Sequence, residues 1–250
     1  MSPTLASAPG SCCFSGVKHT GTPVGRVEDL GGIPTYISDP PAPSQKVILF
    51  LADVWGPLYV NNKLIQDYFA SCGYIVLGPD YFFGDSVPNH LPDRDRQAWI
   101  DGSRKPAIDA FPAWLDAVKA KYGREATKYC AVGYCFGASF VMDLCSDGSV
   151  VAGALAHPAF LDESHFEKLD GITTGPLLLS CAEEDHTFPL PSRRRAEDIM
   201  VARKCTYFFQ VFSGVKHGFA VRGDPDIDMQ RWAKEESARG IVGWFDRFTV

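Results

Sequence analysis

Hydrophobic and polar positions along the chain alternate between short apolar runs and longer amphipathic stretches. Runs at residues 33–38, 46–52, 74–77, 128–132, 150–156, 176–181 and 206–211 have the length of strands. The second is apolar almost throughout, as a strand covered on both faces must be. Between these runs the periodicity becomes helical. Residues 61–71, 101–122, 136–145, 192–203 and 230–248 read as helices. In the longest, Ala107, Phe111, Leu115 and Val118 recur at helical spacing, with Gly123 as its stop. A long loop is expected from residue 78 to about 97. Residues 1–25, rich in Gly, Ser and Thr, are expected to be irregular, and Asp39-Pro40-Pro41-Ala42-Pro43 reads as a turn. The alternation predicts an α/β fold over residues 1–250 as a single domain, with a mostly parallel central sheet and helices on both faces.

In such sheets ligands bind beyond the carboxyl ends of the strands. The most informative residues there are Gly133-Tyr134-Cys135-Phe136-Gly137, between a strand and a helix. They form the pattern G-x-[Ser/Cys]-x-G of a nucleophile elbow, with cysteine in the usual place of serine. The turn forces the nucleophile into a strained backbone conformation, and side chains two residues to either side would collide. Alone the pattern is weak. Here Asp185 follows the run 176–181 and His217 follows 206–211, which gives the order nucleophile, acid, histidine.

A cysteine thiol is mostly protonated near neutral pH and needs a base or a lowered pKa to attack. The helix N-terminus at the elbow favours thiolate. His217 is the candidate base, Asp185 would orient it, and the backbone N–H of Phe136 would serve an oxyanion hole with that of Val54 or Trp55. Each residue has a plainer alternative. Cys135 competes with a role as a small buried apolar residue, His217 competes with five other histidines, and Asp185 competes with Glu183 and Glu184. His157 also ends a strand and reads as a pocket-wall or structural residue.

Composition narrows the classes. The 250 residues carry a net charge of -6, which argues against a nucleic-acid partner. Arg193-Arg194-Arg195 reads as a solvated helix face. No run approaches the roughly 20 apolar residues of a membrane span, and no secretory leader is recognisable. The eight cysteines then read as reduced thiols and the compartment as cytoplasmic. Cys12-Cys13 with His19 hints at a metal, but vicinal cysteines lack zinc-site spacing, so none is expected. Gly31-Gly32 precedes a strand and is no phosphate cradle, and no cofactor is expected. Monomer and homodimer both stay open.

Several segments together resemble the dienelactone hydrolase family, over nearly the whole chain. They are Gly133-Tyr134-Cys135-Phe136-Gly137-Ala138, Asp53-Val54-Trp55-Gly56, Gly78-Pro79-Asp80-Tyr81, Asp185 with Pro189, and His217-Gly218-Phe219. The opening Gly10-Ser11-Cys12-Cys13, with His19-Thr20-Gly21, resembles the fungal branch. The resemblance implies an α/β-hydrolase fold and a Cys-His-Asp triad that hydrolyses small-molecule esters or lactones through an acyl-enzyme, without cofactor or metal. It places Asp53 where a glutamate helps to control the thiol, and Arg222 near an arginine that holds a substrate carboxylate. A second such arginine has no counterpart in Tyr81-Phe82-Phe83-Gly84. With Trp55, His157 and Phe219 completing the expected pocket, this aromatic loop favours a larger or less polar substrate. The alternatives are acyl transfer, thioester cleavage, lactonisation or cyclisation in fungal secondary metabolism, a non-catalytic ligand-binding protein, and a redox-sensing thiol at Cys135.

Overall fold

A computed structural model describes residues 2–171 and 173–250. In chain order the elements are β1 (Thr4–Ala6), β2 (Arg26–Leu30), β3 (Ile33–Ser38), β4 (Lys46–Leu51), α1 (Val60–Ser71), β5 (Ile75–Pro79), α2 (Arg96–Tyr122), β6 (Lys128–Tyr134), α3 (Ala138–Ser146), β7 (Ala152–Ala156), β8 (Leu161–Asp162), α4 (Glu163–Glu167), β9 (Leu177–Glu184), α5 (Leu190–Ala202), β10 (Tyr207–Lys216), α6 (Phe219–Arg222) and α7 (Asp228–Phe248). Eight strands form one sheet in the order β10-β9-β7-β6-β4-β5-β3-β2. Neighbours from β10 to β5 run parallel, while β3 pairs antiparallel with both β5 and β2.

Side-chain alternation along β4 divides the interior. Val47, Leu49 and Leu51 join one buried cluster, with Trp114 and Val118 of α2 and Val141 of α3. Ile48 and Phe50 join the other, with Phe69 of α1 and Phe245 of α7. The apolar run at 46–52 thus feeds helices on both faces, as a central strand must. The fold is of the α/β-hydrolase type.

Several elements differ from their sequence expectation. Strand β2 carries Arg26, Glu28 and Asp29 on a largely exposed edge, so it lacks an apolar signature. It exists because Gly31 and Gly32, with φ of 63° and 85°, close a two-residue hairpin onto β3. Helix α2 begins five residues earlier than its apolar periodicity suggests, because the Asp95 side chain caps the Ala98 N–H. Strand β10 continues past Val211 to Lys216 through a register shift after Phe212.

The N-terminal segment is not wholly irregular. Strand β1 pairs with β8, Ser7 N–H donates to Thr187 O at 2.9 Å, and residues Ser11–Phe14 form a 3-10 turn. Its order comes from partners far along the chain, Asp162 opposite Thr4 and Thr187 opposite Ser7, which a local pattern cannot reveal. Among the described residues no helix is long and apolar enough to cross a membrane.

The fully buried Trp114 joins α2 to the sheet, donating Nε1–H to Thr35 Oγ1 at 2.9 Å. Trp114→Ala should lower unfolding free energy by about 3–5 kcal/mol in urea titrations. The same change at half-exposed Trp232 should cost much less.

Candidate active site

The elbow follows from two close approaches. A Cβ on Gly137 would lie 2.1 Å from Leu51 O, and one on Gly133 would lie 2.7 Å from Gly137 O. Only glycine lets the β6-to-α3 turn press against the end of β4. Between them Cys135 takes φ of 47°, a left-handed conformation costly for a side-chain-bearing residue. Val54, three residues past Leu51, is buried in the same core cluster as Cys135 and Phe136. Ala159 N–H donates to Cys135 O at 3.0 Å, so the loop after β7 braces the turn from the other side.

Asp185 at the end of β9 and His217 at the end of β10 are bonded, with Nδ1 2.9 and 3.0 Å from the two carboxylate oxygens. Asp185 Oδ1 also accepts from Thr187 N–H at 2.9 Å, Thr187 Oγ1 at 2.6 Å and Phe188 N–H at 3.1 Å. Burial pushes the Asp185 carboxyl up, but the bond and charge of His217 and these further donors outweigh it and hold the carboxyl well below its usual range. Burial likewise opposes charge on His217. Its bond to Asp185, the nearby Cys13 thiol and the charge of Asp185 prevail, and its pKa is pushed up to about 10. Glu183 and Glu184, the other carboxyls considered, are exposed; Glu183 accepts from Gly214 N–H at 2.7 Å instead.

Cys135, Cys13 and His217 present ligand atoms that all lie within 4.8 Å of one another. No hydrogen bond joins Cys135 to His217. Instead Cys13 Sγ sits 3.8 Å from Cys135 Sγ and covers it. Cys135 is fully buried.

Asp53 does not turn toward the thiol. It forms a buried ion pair with Arg222 Nη1, and its Oδ1 accepts from Asn62 Nδ2 at 3.0 Å and Trp55 N–H at 3.2 Å. Arg222 Nη1 is thereby engaged, while its Nη2 has no hydrogen-bond partner among the described residues. Trp55 Nε1–H donates to Cys13 O at 2.7 Å, holding the covering segment. Tyr81 stacks on Phe136 with centroids 5.6 Å apart, and Phe82 meets Phe136 edge-on at 4.9 Å. Phe83 is half exposed. Tyr81, Phe82 and Phe83 line a cavity of about 920 Å3 that also touches Trp99 and Arg94. Cys135 is not among the residues lining that cavity. His157 packs edge-on against the His217 ring at 4.9 Å, backed by Phe219, and burial keeps it neutral.

Three contributors escaped the sequence reading. Thr187 bonds His217 Nδ1 at 2.7 Å, and Asp185-x-Thr187 has the spacing of a local side-chain turn, a usable signal. Asn62 and Cys13 arrive from distant segments without such a signal. The pairing of Cys12-Cys13 with His19 is not formed. His19 Nε2 bonds Gly223 O at 2.8 Å, and the histidine that meets Cys12 is His186, with Nδ1 3.4 Å from its sulfur.

A strained residue at a strand-to-helix turn, with a buried acid–histidine pair on later strands of a mostly parallel sheet, defines an enzyme of the α/β-hydrolase class. Comparison with known proteins is consistent with this. The profile of the dienelactone hydrolase family matches residues 33–249. The chain is 37% identical over 254 residues to "Dienlactone hydrolase 1" of Gibberella moniliformis, covering 98% of this chain and 95% of that one. It is 37% identical over 243 residues to "Hydrolase pyvD" of Aspergillus violaceofuscus, covering 96% and 97%. A putative dienelactone hydrolase from Klebsiella pneumoniae superposes with a TM-score of 0.70 at 11% identity, over 90% of this chain and 99% of that one, and so shares the fold. The chain belongs to the dienelactone hydrolase family, with fungal relatives, and is a carboxylic ester or lactone hydrolase.

The raised pKa of His217 sets a pH window. Its charged form is favoured by folding, so that stability is complete below about pH 6.5 and disappears as pH rises through about 10. Unfolding free energy should therefore fall more between pH 7 and 10 in the wild type than in His217→Gln. Equal slopes in urea titrations would contradict the buried ion pair.

Proposed function

We propose that Cys135 is the nucleophile, His217 its base and acid, and Asp185 the group that orients and stabilises the imidazolium. The observation carrying this is the left-handed Cys135, held between glycines that admit no Cβ, beside a buried and bonded Asp185–His217 pair. Cys135 Sγ would attack the substrate carbonyl carbon with its proton already resident on His217, whose raised pKa favours the imidazolium. The N–H groups of Phe136 and Val54 would hold the developing oxyanion. As the ester or lactone C–O bond breaks, His217 would return that proton to the leaving oxygen. Water, deprotonated by His217, would then cleave the thioester and free Cys135.

Three features refine this reading. Cys135 lies sealed beneath Cys13, so turnover requires residues 10–16 to lift. The aromatic wall of Tyr81, Phe82 and Phe136, together with the engagement of Arg222 by Asp53, supports a larger or less polar substrate than a dicarboxylate dienelactone. The same seal supports a second reading, in which the acyl group passes to an acceptor other than water, as in transfer or cyclisation. The free thiols fit a cytoplasmic setting.

The test is hydrolysis of p-nitrophenyl acetate, an aryl lactone and cis-dienelactone by wild type and Cys135→Ala. The wild type should turn over the aryl substrates faster than cis-dienelactone, and the variant should lose at least about 1000-fold in kcat/KM. A burst of acylation without turnover would favour the transfer reading. Equal rates from both proteins would remove Cys135 as nucleophile, and binding without consumption would favour a non-catalytic role.

A further inference from the structure

Two sulfur atoms from opposite halves of the chain meet beside an imidazole. Cys13 Sγ and Cys135 Sγ lie 3.8 Å apart, and both are within 4.8 Å of a ring nitrogen of His217. Both cysteines are fully buried, and the His217 side chain is 1% exposed. Its Nδ1 is engaged by Asp185 and Thr187, whereas Nε2 has no aligned hydrogen-bond partner. Ester hydrolysis needs one thiol here and leaves Cys13 without a role.

We propose that Cys13, Cys135 and His217 form a three-ligand site for a thiophilic divalent cation, with Zn2+ the best fit. Two thiolates bound tetrahedrally at about 2.3 Å from zinc stand about 3.8 Å apart, the separation already present. Two thiolates and a neutral imidazole would balance the dication within the ligand set, and binding would release the two thiol protons and the proton that His217 carries at neutral pH. The bond from Nδ1–H to Asp185 directs the Nε2 lone pair away from the carboxylate and raises its basicity, the usual outer support of a zinc-bound histidine. The fourth position stays open.

A route inward exists. Cys12 Sγ is 4.0 Å from Cys13 Sγ and 3.4 Å from His186 Nδ1. Cys12, His186 and His217 line a depression of about 440 Å3. The half-buried Cys12 can thus take an ion at the surface and pass it to Cys13. Metal binding there is independent of hydrolase activity. Its consequence rests on the function proposed above, because an ion holding Cys135 and His217 blocks both nucleophile and base.

The experiment is a Co2+ titration of metal-free protein kept fully reduced with a phosphine, so that no disulfide forms. One equivalent should bind, with a thiolate-to-cobalt charge-transfer band and the intense absorption of tetrahedral cobalt, and Zn2+ should displace it. Cys13→Ser and Cys135→Ser should each weaken Zn2+ binding at least tenfold, with Cys72→Ser as the control that does not, and thermal melts should confirm that each variant is folded. If Cys13→Ser does not fold, protection of Cys13 and Cys135 from alkylation by one equivalent of Zn2+, read by peptide mass in the wild type, decides instead. Spectra of octahedral cobalt, unchanged affinity in Cys13→Ser, absence of that protection, or weakening only by Cys12→Ser and His186→Ala would overturn the site. Ester turnover by the same metal-free protein is scored separately. Cobalt binding without turnover would remove the hydrolase mechanism and keep the site, and turnover without cobalt binding would do the reverse.

Discussion

The contact between Gly137 and the carbonyl of Leu51 is the constraint on which the site's geometry depends. It presses the start of α3 against the end of β4, at the centre of the sheet. Any side chain at residue 137 would push the two apart. Because they touch, β6 cannot run straight into α3, and the chain must turn through a left-handed residue at Cys135. That strain is held by rigid surroundings: β6 is hydrogen-bonded on both sides, to β4 and β7, and its last residues are buried. A conformation costing on the order of 1–3 kcal/mol survives because so many neighbours specify it.

Around the elbow the structure buries an unusual amount of charge. Asp53 and Arg222 pair out of contact with solvent, and Asp185 pairs with His217. Such pairs are weak sources of stability, since desolvation offsets most of the attraction, but breaking one is costly. Their value here is positional. Asp185 receives four hydrogen-bond donors, so the carboxylate and the ring bonded to it have little freedom. The Asp53–Arg222 pair works on the other flank. Arg222 Nε also donates to Ser15 O at 3.2 Å, and Asn61 Nδ2 donates to Val17 O at 2.8 Å. Charge burial therefore also ties down the N-terminal segment that covers the thiol.

What was legible in the chain follows from how local each signal is. Cys135, Asp185 and His217 could be placed because each ends an apolar run whose length and order announce a strand. The central strands were readable for the same reason, and β2 was not, because an exposed edge strand needs no apolar pattern. Asp53 could be matched by position, but its rotamer is chosen by Arg222, 169 residues away, and by Asn62. Cys13 shows the limit most clearly. Its sequence neighbourhood is rich in small and polar residues, and nothing local places its sulfur on another 122 residues later.

The covering segment links these points. Strand β1 is fixed to β8, and Ser7 to Thr187, the residue that also bonds Asp185 and His217. The anchor of the cover and the support of the imidazole are therefore the same residue. Displacing residues 10–16 to admit a substrate need not disturb that anchor, because β1 lies before the part that must move and the contacts of Val17, its N–H to Arg222 O at 3.4 Å and its carbonyl from Asn61 Nδ2 at 2.8 Å, lie after it. The cover can hinge between two fixed ends. Opening would then break the Trp55–Cys13 hydrogen bond and separate the two sulfurs, while the bonds that orient His217 remain intact.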